Sequence, residues 1–221
     1  MTREHYGQEL ADLRASVVAM ASMTNKAIDS AVTALARRDV RLAEQVVAAD
    51  RAINEHRWRT EEQALLVIAT QAPMARDLRM IAAVIHIVTD LERMADHAAG
   101  IAKIARQTAD QPPLKPLVDI PRMSEIAQTM LHDAITAFIE DDQAAARAIV
   151  ARDDEVDALY DQIYRELLTF MLADPTTINQ ATHLLWVAHN LERIADRVTN
   201  ICERVVFAAT GQLEELAVST Y

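Results

Sequence analysis

With 33 acidic against 22 basic side chains, the 221-residue chain carries a formal net charge of −11; that balance repels phosphate backbones and anionic lipid surfaces and excludes nucleic acid as a partner. Hydrophobic residues make up 51% of the chain, enough for a sizeable core without staples, and a lone cysteine, Cys202, forms no intramolecular disulfide and suits a reducing compartment. Three Gly, six Pro and 4% aromatics, beside runs rich in Ala, Leu, Glu and Arg, predict an all-α fold.

The first ten residues carry Arg3, Glu4, His5 and Glu9 and lack the apolar stretch of a signal peptide. The most apolar run, Ile81 to Val88, is far short of the roughly 20 residues that span a bilayer. A cytoplasmic protein without direct membrane insertion is the expectation.

Apolar residues recur at intervals of three and four from Leu10 through Leu13, Val17, Met20, Ala27 and Ala31 to Leu35, predicting a helix over about 9–37. Asp39 is placed to cap a second helix reaching about Ala69, with Leu42, Val46, Ile53, Leu65 and Ile68 on its apolar face and Trp58 read as core or interface packing. Pro73 fits the first turn of a third helix that runs to about Arg106 and is the most enclosed of the three. Gly100 within it permits a close helix approach.

Pro112, Pro113 and Pro116 then block helix continuation, so residues 110–119 read as a linker between a first three-helix bundle, 1–109, and a second, 120–221. The plan restarts with a helix from Pro121 to about Glu140. Asp142 caps another to about Met171, and Asp174-Pro175 opens a last one to about Ala209, near Gly211. The fold expected is two tandem antiparallel three-helix bundles.

The two halves repeat each other. Asp90-Leu91-Glu92-Arg93-Met94-Ala95-Asp96-His97 is echoed 100 residues later by Asn190-Leu191-Glu192-Arg193-Ile194-Ala195-Asp196-Arg197, and over twelve positions from 90 and 190 six residues are identical. The second helices align at an offset of 103, which puts Asp39 on Asp142 and Asp50 on Asp153. Each copy therefore holds two oxygen-bearing pairs at helical spacing: Asp50 with Asn54 and Glu92 with Asp96, then Asp153 with Asp157 and Glu192 with Asp196. Like charges four residues apart share one helix face and repel, so they call for Arg93, Arg193, counterions or a metal ion with hard oxygen ligands. Copy two, with four carboxylates against three and an amide, should hold a cation more tightly. His97 and Arg197 differ in type at matching positions, which favours flank packing or charge balance over ligation.

These residues resemble the PhoU family of phosphate-transport regulators over nearly the whole chain. The resemblance is carried by Asp50-x-x-Ile53-Asn54, Gln71-x-Pro73, Asp77-Leu78-Arg79 and Asp90-Leu91-Glu92-Arg93-x-x-Asp96, and in copy two by Asp153-x-x-Val156-Asp157, Asp174-Pro175-x-x-Ile178, Leu191-Glu192-Arg193-x-x-Asp196 and Asn200-Ile201-Cys202-Glu203. It implies divalent or trivalent metal ions, in some members a multinuclear iron cluster, on Asp50, Asn54, Glu92, Asp96, Asp153, Asp157, Glu192 and Asp196. It also implies a homodimeric negative regulator linking the ATPase subunit of a phosphate ABC transporter to a phosphate-sensing histidine kinase. Where the family typically has Gly before the last Asp of the motif, this chain has Ala95 and Ala195.

Two rival classes remain. A carboxylate-bridged di-iron enzyme needs Glu-x-x-His pairs, and none of the seven His has Glu three positions before it; an enzyme is not expected. A metal-free helical scaffold would use the same acidic faces as a protein-interaction surface.

Overall fold

The computed structural model describes residues 3–216; the outermost residues of the two expected repeats, 1–2 and 217–221, lie outside it. Among the described residues the chain is wholly helical, with six arms, the fifth broken in two: α1 (Arg3–Arg37), α2 (Val40–Gln71), α3 (Arg76–Thr108), α4 (Asp119–Glu140), α5 (Gln143–Val150), α6 (Asp153–Ala173) and α7 (Ile178–Thr210). None of the described helices is long and apolar enough to cross a membrane.

Local chemistry sets the helix ends. Asp39 accepts from the Leu42 amide at 3.0 Å, and Asp142 accepts from the amides of Ala144 and Ala145 at 2.9 and 3.0 Å, so each satisfies donors that the first turn leaves free. Asp174 accepts from the Thr176 amide and caps a 3₁₀ turn, Pro175–Thr177, that leads into α7. Gly211, at φ +81°, closes α7 in the left-handed conformation that favours glycine.

Three expectations need correction. Pro73 does not lie in the first turn of α3; it sits in the connection before it, between Ala72 and Ala75, both at positive φ. Leu65 is 59% exposed and stays out of the core, since α2 is covered on one side only; Trp58, equally exposed, is not core packing, which leaves the interface half of its reading. The second arm of copy two is not continuous. It breaks at Ala151–Arg152, and Asp153, Asp154 and Glu155 thereby enter the first turn of α6. Three adjacent acids are unfavourable inside a helix but stabilised at its N-terminus, where the free amides carry partial positive charge. Copy one has Arg51 and Ala52 after Asp50, and α2 runs on unbroken. The short α5 is held by burial of Ala146 and Ile149 and by Arg147, whose Nη2 lies 2.8 Å from Glu214 Oε2 beyond α7.

The two halves share one core. Its most extensive packing joins α3 to α7, and α1 against α4 adds a second contact between the halves. Along that seam the matching positions exchange partners across an approximate two-fold relation. Arg197 Nη1 reaches Asp90 Oδ1 at 3.4 Å and Asn200 Nδ2 reaches the same oxygen at 3.5 Å, while His97 Nδ1 bonds Asn190 Oδ1 at 2.9 Å. Gly100 occupies the position of Asn200, and a Cβ added there would lie 3.2 Å from Asn190 Oδ1. The close approach foreseen at Gly100 is therefore between repeats. Burial raises the Asp90 carboxyl above its ordinary range, against the opposing pull of Arg197 and Asn200, and it depresses the His97 ring, so His97 sits here as a neutral partner of an amide.

Asp90→Ala should cost about 1–3 kcal/mol, because it strands the part-buried Arg197 guanidinium. Asn190→Ala, which loses one neutral hydrogen bond across the seam and an exposed one to the Trp186 carbonyl, should cost about 1 kcal/mol. Urea denaturation of the two variants would check the order; equal losses would mean that the charged pair contributes nothing to the seam.

Candidate functional site

The eight sequence-derived residues fall on two faces, one per repeat, each made where the second arm packs against the third. In copy one, α2 supplies Asp50 and Asn54, and α3 supplies Glu92 and Asp96. In copy two, α6 supplies Asp153 and Asp157, and α7 supplies Glu192 and Asp196. The pairs do face each other. Asp50 feels the charge of Asp96, and Asp153 feels Asp157, Asp196 and Glu192 together. Glu92 and Glu192 are buried, whereas the side chains of Asp96 and Asp196 are 42% and 30% exposed, so each face grades from core to solvent. Ala95 and Ala195 point into the core.

Arginine fingers on the acids distinguish the two faces. In copy one Arg57 bridges Glu61 (2.9 Å) and Glu92 (3.2 Å), and Arg93 spans Glu92 (3.4 Å) and Asp96 (3.2 Å). Asn54 Nδ2 donates to Asp50 at 3.2 Å. In copy two Arg193 holds Asp196 at 2.6 Å and His189 Nδ1 lies 3.2 Å from Glu192, but the position of Arg57 is taken by Tyr160, tilted against His189 at 6.2 Å between ring centroids. Arg57 was not singled out in the sequence. It stands seven residues after Asp50 and three after Asn54, a spacing that places it on the same helix face as both.

The electrostatics follow. Burial raises the carboxyls of Asp50, Glu92 and Asp157, and mutual repulsion adds to it, through Asp96 for the first two and Asp196 for the third. For Asp153 burial comes first, then Asp157, Asp196 and Glu192, and together they push it up to about 7. Asp153 Oδ1 and Asp50 Oδ1 are buried without a hydrogen-bond partner among the described residues. Hard oxygen donors with unmet acceptor capacity and mutual repulsion are the donor chemistry of a divalent or trivalent cation site. Among the described residues, however, no three acidic, His or Cys side chains stand together as a ready metal cage; Arg57, Arg93 and Arg193 occupy the acids from one side. Cys202 is fully buried on α7, its thiol pushed up to about 12 by burial, which makes it an inert small hydrophobe.

The sign of the Asp153 effect can be tested. A carboxyl near 3.9 when unfolded and about 7 when folded lets the native protein hold an extra proton between those values. Stability should therefore be greater at the acidic end of that window and be lost as pH rises toward 7. With chelator present, Asp153→Asn should flatten this dependence and add on the order of 1 kcal/mol at pH 8; an unchanged slope in thermal melts between pH 5 and pH 8 would refute the assignment.

Comparison with known proteins agrees with this architecture. The PhoU domain matches twice, at residues 17–105 and 120–205, one match for each repeat. A phosphate-specific transport system accessory protein PhoU homologue of Caulobacter vibrioides is 42% identical over 212 residues, covering 96% of this chain and 92% of that protein. The Aquifex aeolicus homologue is 42% identical over 206 residues, covering 93% of each. The crystal structure of PhoU from Pseudomonas aeruginosa superposes with a TM-score of 0.89 at 33% identity, over 94% of this chain and 100% of that one. The phosphate transport system regulatory protein PhoU from Streptococcus pneumoniae does so with 0.88 at 31% identity, over 95% and 99%. Two matched repeats, relatives aligned end to end and the same fold make this chain a member of the PhoU family of phosphate-transport accessory and regulatory proteins, which are not enzymes.

Proposed function

We propose that the chain is a cytoplasmic homodimeric regulator that couples a phosphate ABC transporter, through its ATPase subunit, to a phosphate-sensing histidine kinase, and that its acidic faces take up metal cations. The regulatory part rests on family membership and on relatives described as accessory and regulatory proteins of phosphate transport. The metal part rests on one observation: Asp153 feels the charges of Asp157, Asp196 and Glu192, keeps a buried oxygen without a partner among the described residues and is raised to about 7. Asp153, Asp157, Glu192 and Asp196 would hold the ion, and Asp50, Asn54, Glu92 and Asp96 would do so in copy one. A bound cation would supply the positive charge that the arginines supply only in part. Copy two is the stronger site, because it has the extra carboxylate and Tyr160 in place of Arg57.

Two experiments test the two parts. Deleting the gene in its own host should leave a phosphate-starvation reporter switched on in phosphate-rich medium, and normal repression would count against the regulatory role. For the metal, a cation at a hundred times its Kd should raise the melting temperature of the chelated protein by about 5–10 °C. The Glu192→Gln, Asp196→Asn double variant should stay helical, lose that shift and be at least as stable as chelated wild type. If wild type gives no shift with Mg, Mn, Fe or Zn while the variant is the more stable in every condition, the acidic faces are a protein-interaction surface instead.

A further inference from the structure

A second site lies at the far end of the seam. The C-terminal turns of α1 and α3, the proline-rich linker and the first two turns of α7 enclose a cavity of about 260 Å³, roughly nine water volumes at about 30 Å³ each. Its walls are apolar, formed by Leu35, Ile104, Leu114, Leu117 and Leu184. From the mid-helix Glu92 to Ile104 is about 18 Å along α3 at 1.5 Å per residue, so the cavity is separate from the acidic faces.

The polar groups around it are neutral or basic: Arg38, Lys115 and His183 beside Thr108, Gln111 and Gln180, and among the described residues no carboxylate lines the cavity, in a chain whose net charge is −11. Lys115 is already neutralised by Glu166, with Asp119 also 4.0 Å away. Arg38 is exposed at the mouth and donates through Nη1 to Gln111 O at 3.1 Å. Gln180 reaches Pro112 O on the opposite side, so the linker is strapped across the opening from both repeats. His183 lines the wall on α7, but its Nδ1 is itself closed off from the space.

We propose that this cavity binds a small organic monocarboxylate of about ten non-hydrogen atoms, with its apolar body among the leucines and its carboxylate at the mouth on Arg38. The class follows from the balance of charges. The apolar walls want a hydrocarbon or ring, and the single uncommitted cation at the mouth wants an anion. The carbonyl ends of α1 and α3 carry partial negative charge and the first turns of α7 partial positive charge, so the helix ends offset one another and Arg38 matches one negative charge at the mouth rather than a dianion such as orthophosphate. A ligand seated there touches α1, α3, the linker and α7 at once, so its binding would tighten the linker against both repeats.

Octanoate and the neutral octan-1-ol serve as probes, read by calorimetry, melting temperature and the rate of limited proteolysis within 110–118. Octanoate should bind saturably in the millimolar range or below, raise the melting temperature and slow cleavage of the linker. Arg38→Gln should weaken octanoate about three- to fivefold without changing octanol, and Leu184→Trp, which fills the cavity, should abolish both. No saturable octanoate binding at millimolar concentration would overturn the proposal. So would octanoate and octanol binding alike with Arg38→Gln affecting neither, which would mark the space as an apolar void without anion preference. If Leu184→Trp fails to fold, the comparison at Arg38 still decides.

Discussion

Everything in this molecule hangs on the close antiparallel seam between α3 and α7. Both helices are buried along most of their length, and their contact merges the two repeats into one core. A contact that close admits few polar groups, and those present must satisfy one another. The reciprocal pairs do this: Asp90 takes Arg197 and Asn200, and Asn190 takes His97 beside the bare Cα of Gly100. Fixing the seam also fixes the second arms, since α2 and α6 lean on α3 and α7 from outside. The acidic faces are thus by-products of a core decision, each set where an arm meets the seam helix of its own repeat.

The duplication is not an even one. Copy one has traded acidity for internal neutralisation, with Arg57 and Asn54 drawing on the same acids that copy two leaves to repel each other. Repulsion of this kind destabilises the metal-free chain and would be relieved by a cation, which ties affinity and stability to the same four side chains. An arrangement with one partly neutralised face and one more strongly repulsive face lets a single fold keep its shape while one part of it stays the more responsive to solution conditions.

What the amino-acid sequence discloses here is whatever local chemistry or repetition encodes. Asp39, Asp142, Asp174 and Gly211 are legible because a cap is a contact between a side chain or a special φ and its own backbone. The four acidic pairs are legible because they recur at helical spacing in both halves. Leu65 misled because periodicity reports an apolar stripe without saying whether anything covers it. The break before Asp153 was hidden by alignment with the continuous α2, although three successive acids were there to signal a helix start. Arg57 was readable from its spacing to Asp50, whereas the exchange of partners between 90 and 197 and between 190 and 97 depends on how the halves meet, which no local pattern carries.

The break in the fifth arm has a consequence for cooperativity. Eight residues are too few for a helix to persist by itself in water, where about 12–15 are marginal, so α5 exists only while its neighbours hold it. One of those holds is Arg147 on Glu214, and the backbone amide of Leu216 is in turn fastened to Glu203 Oε1 at 3.0 Å. Residues far apart in sequence are thereby joined in one opening unit, a foldon made of a short helix and the strand of chain that follows α7. Loosening the chain after Gly211 would remove one hold on α5, leaving burial of Ala146 and Ile149 to keep the connection that sets where α6, and therefore Asp153, begins.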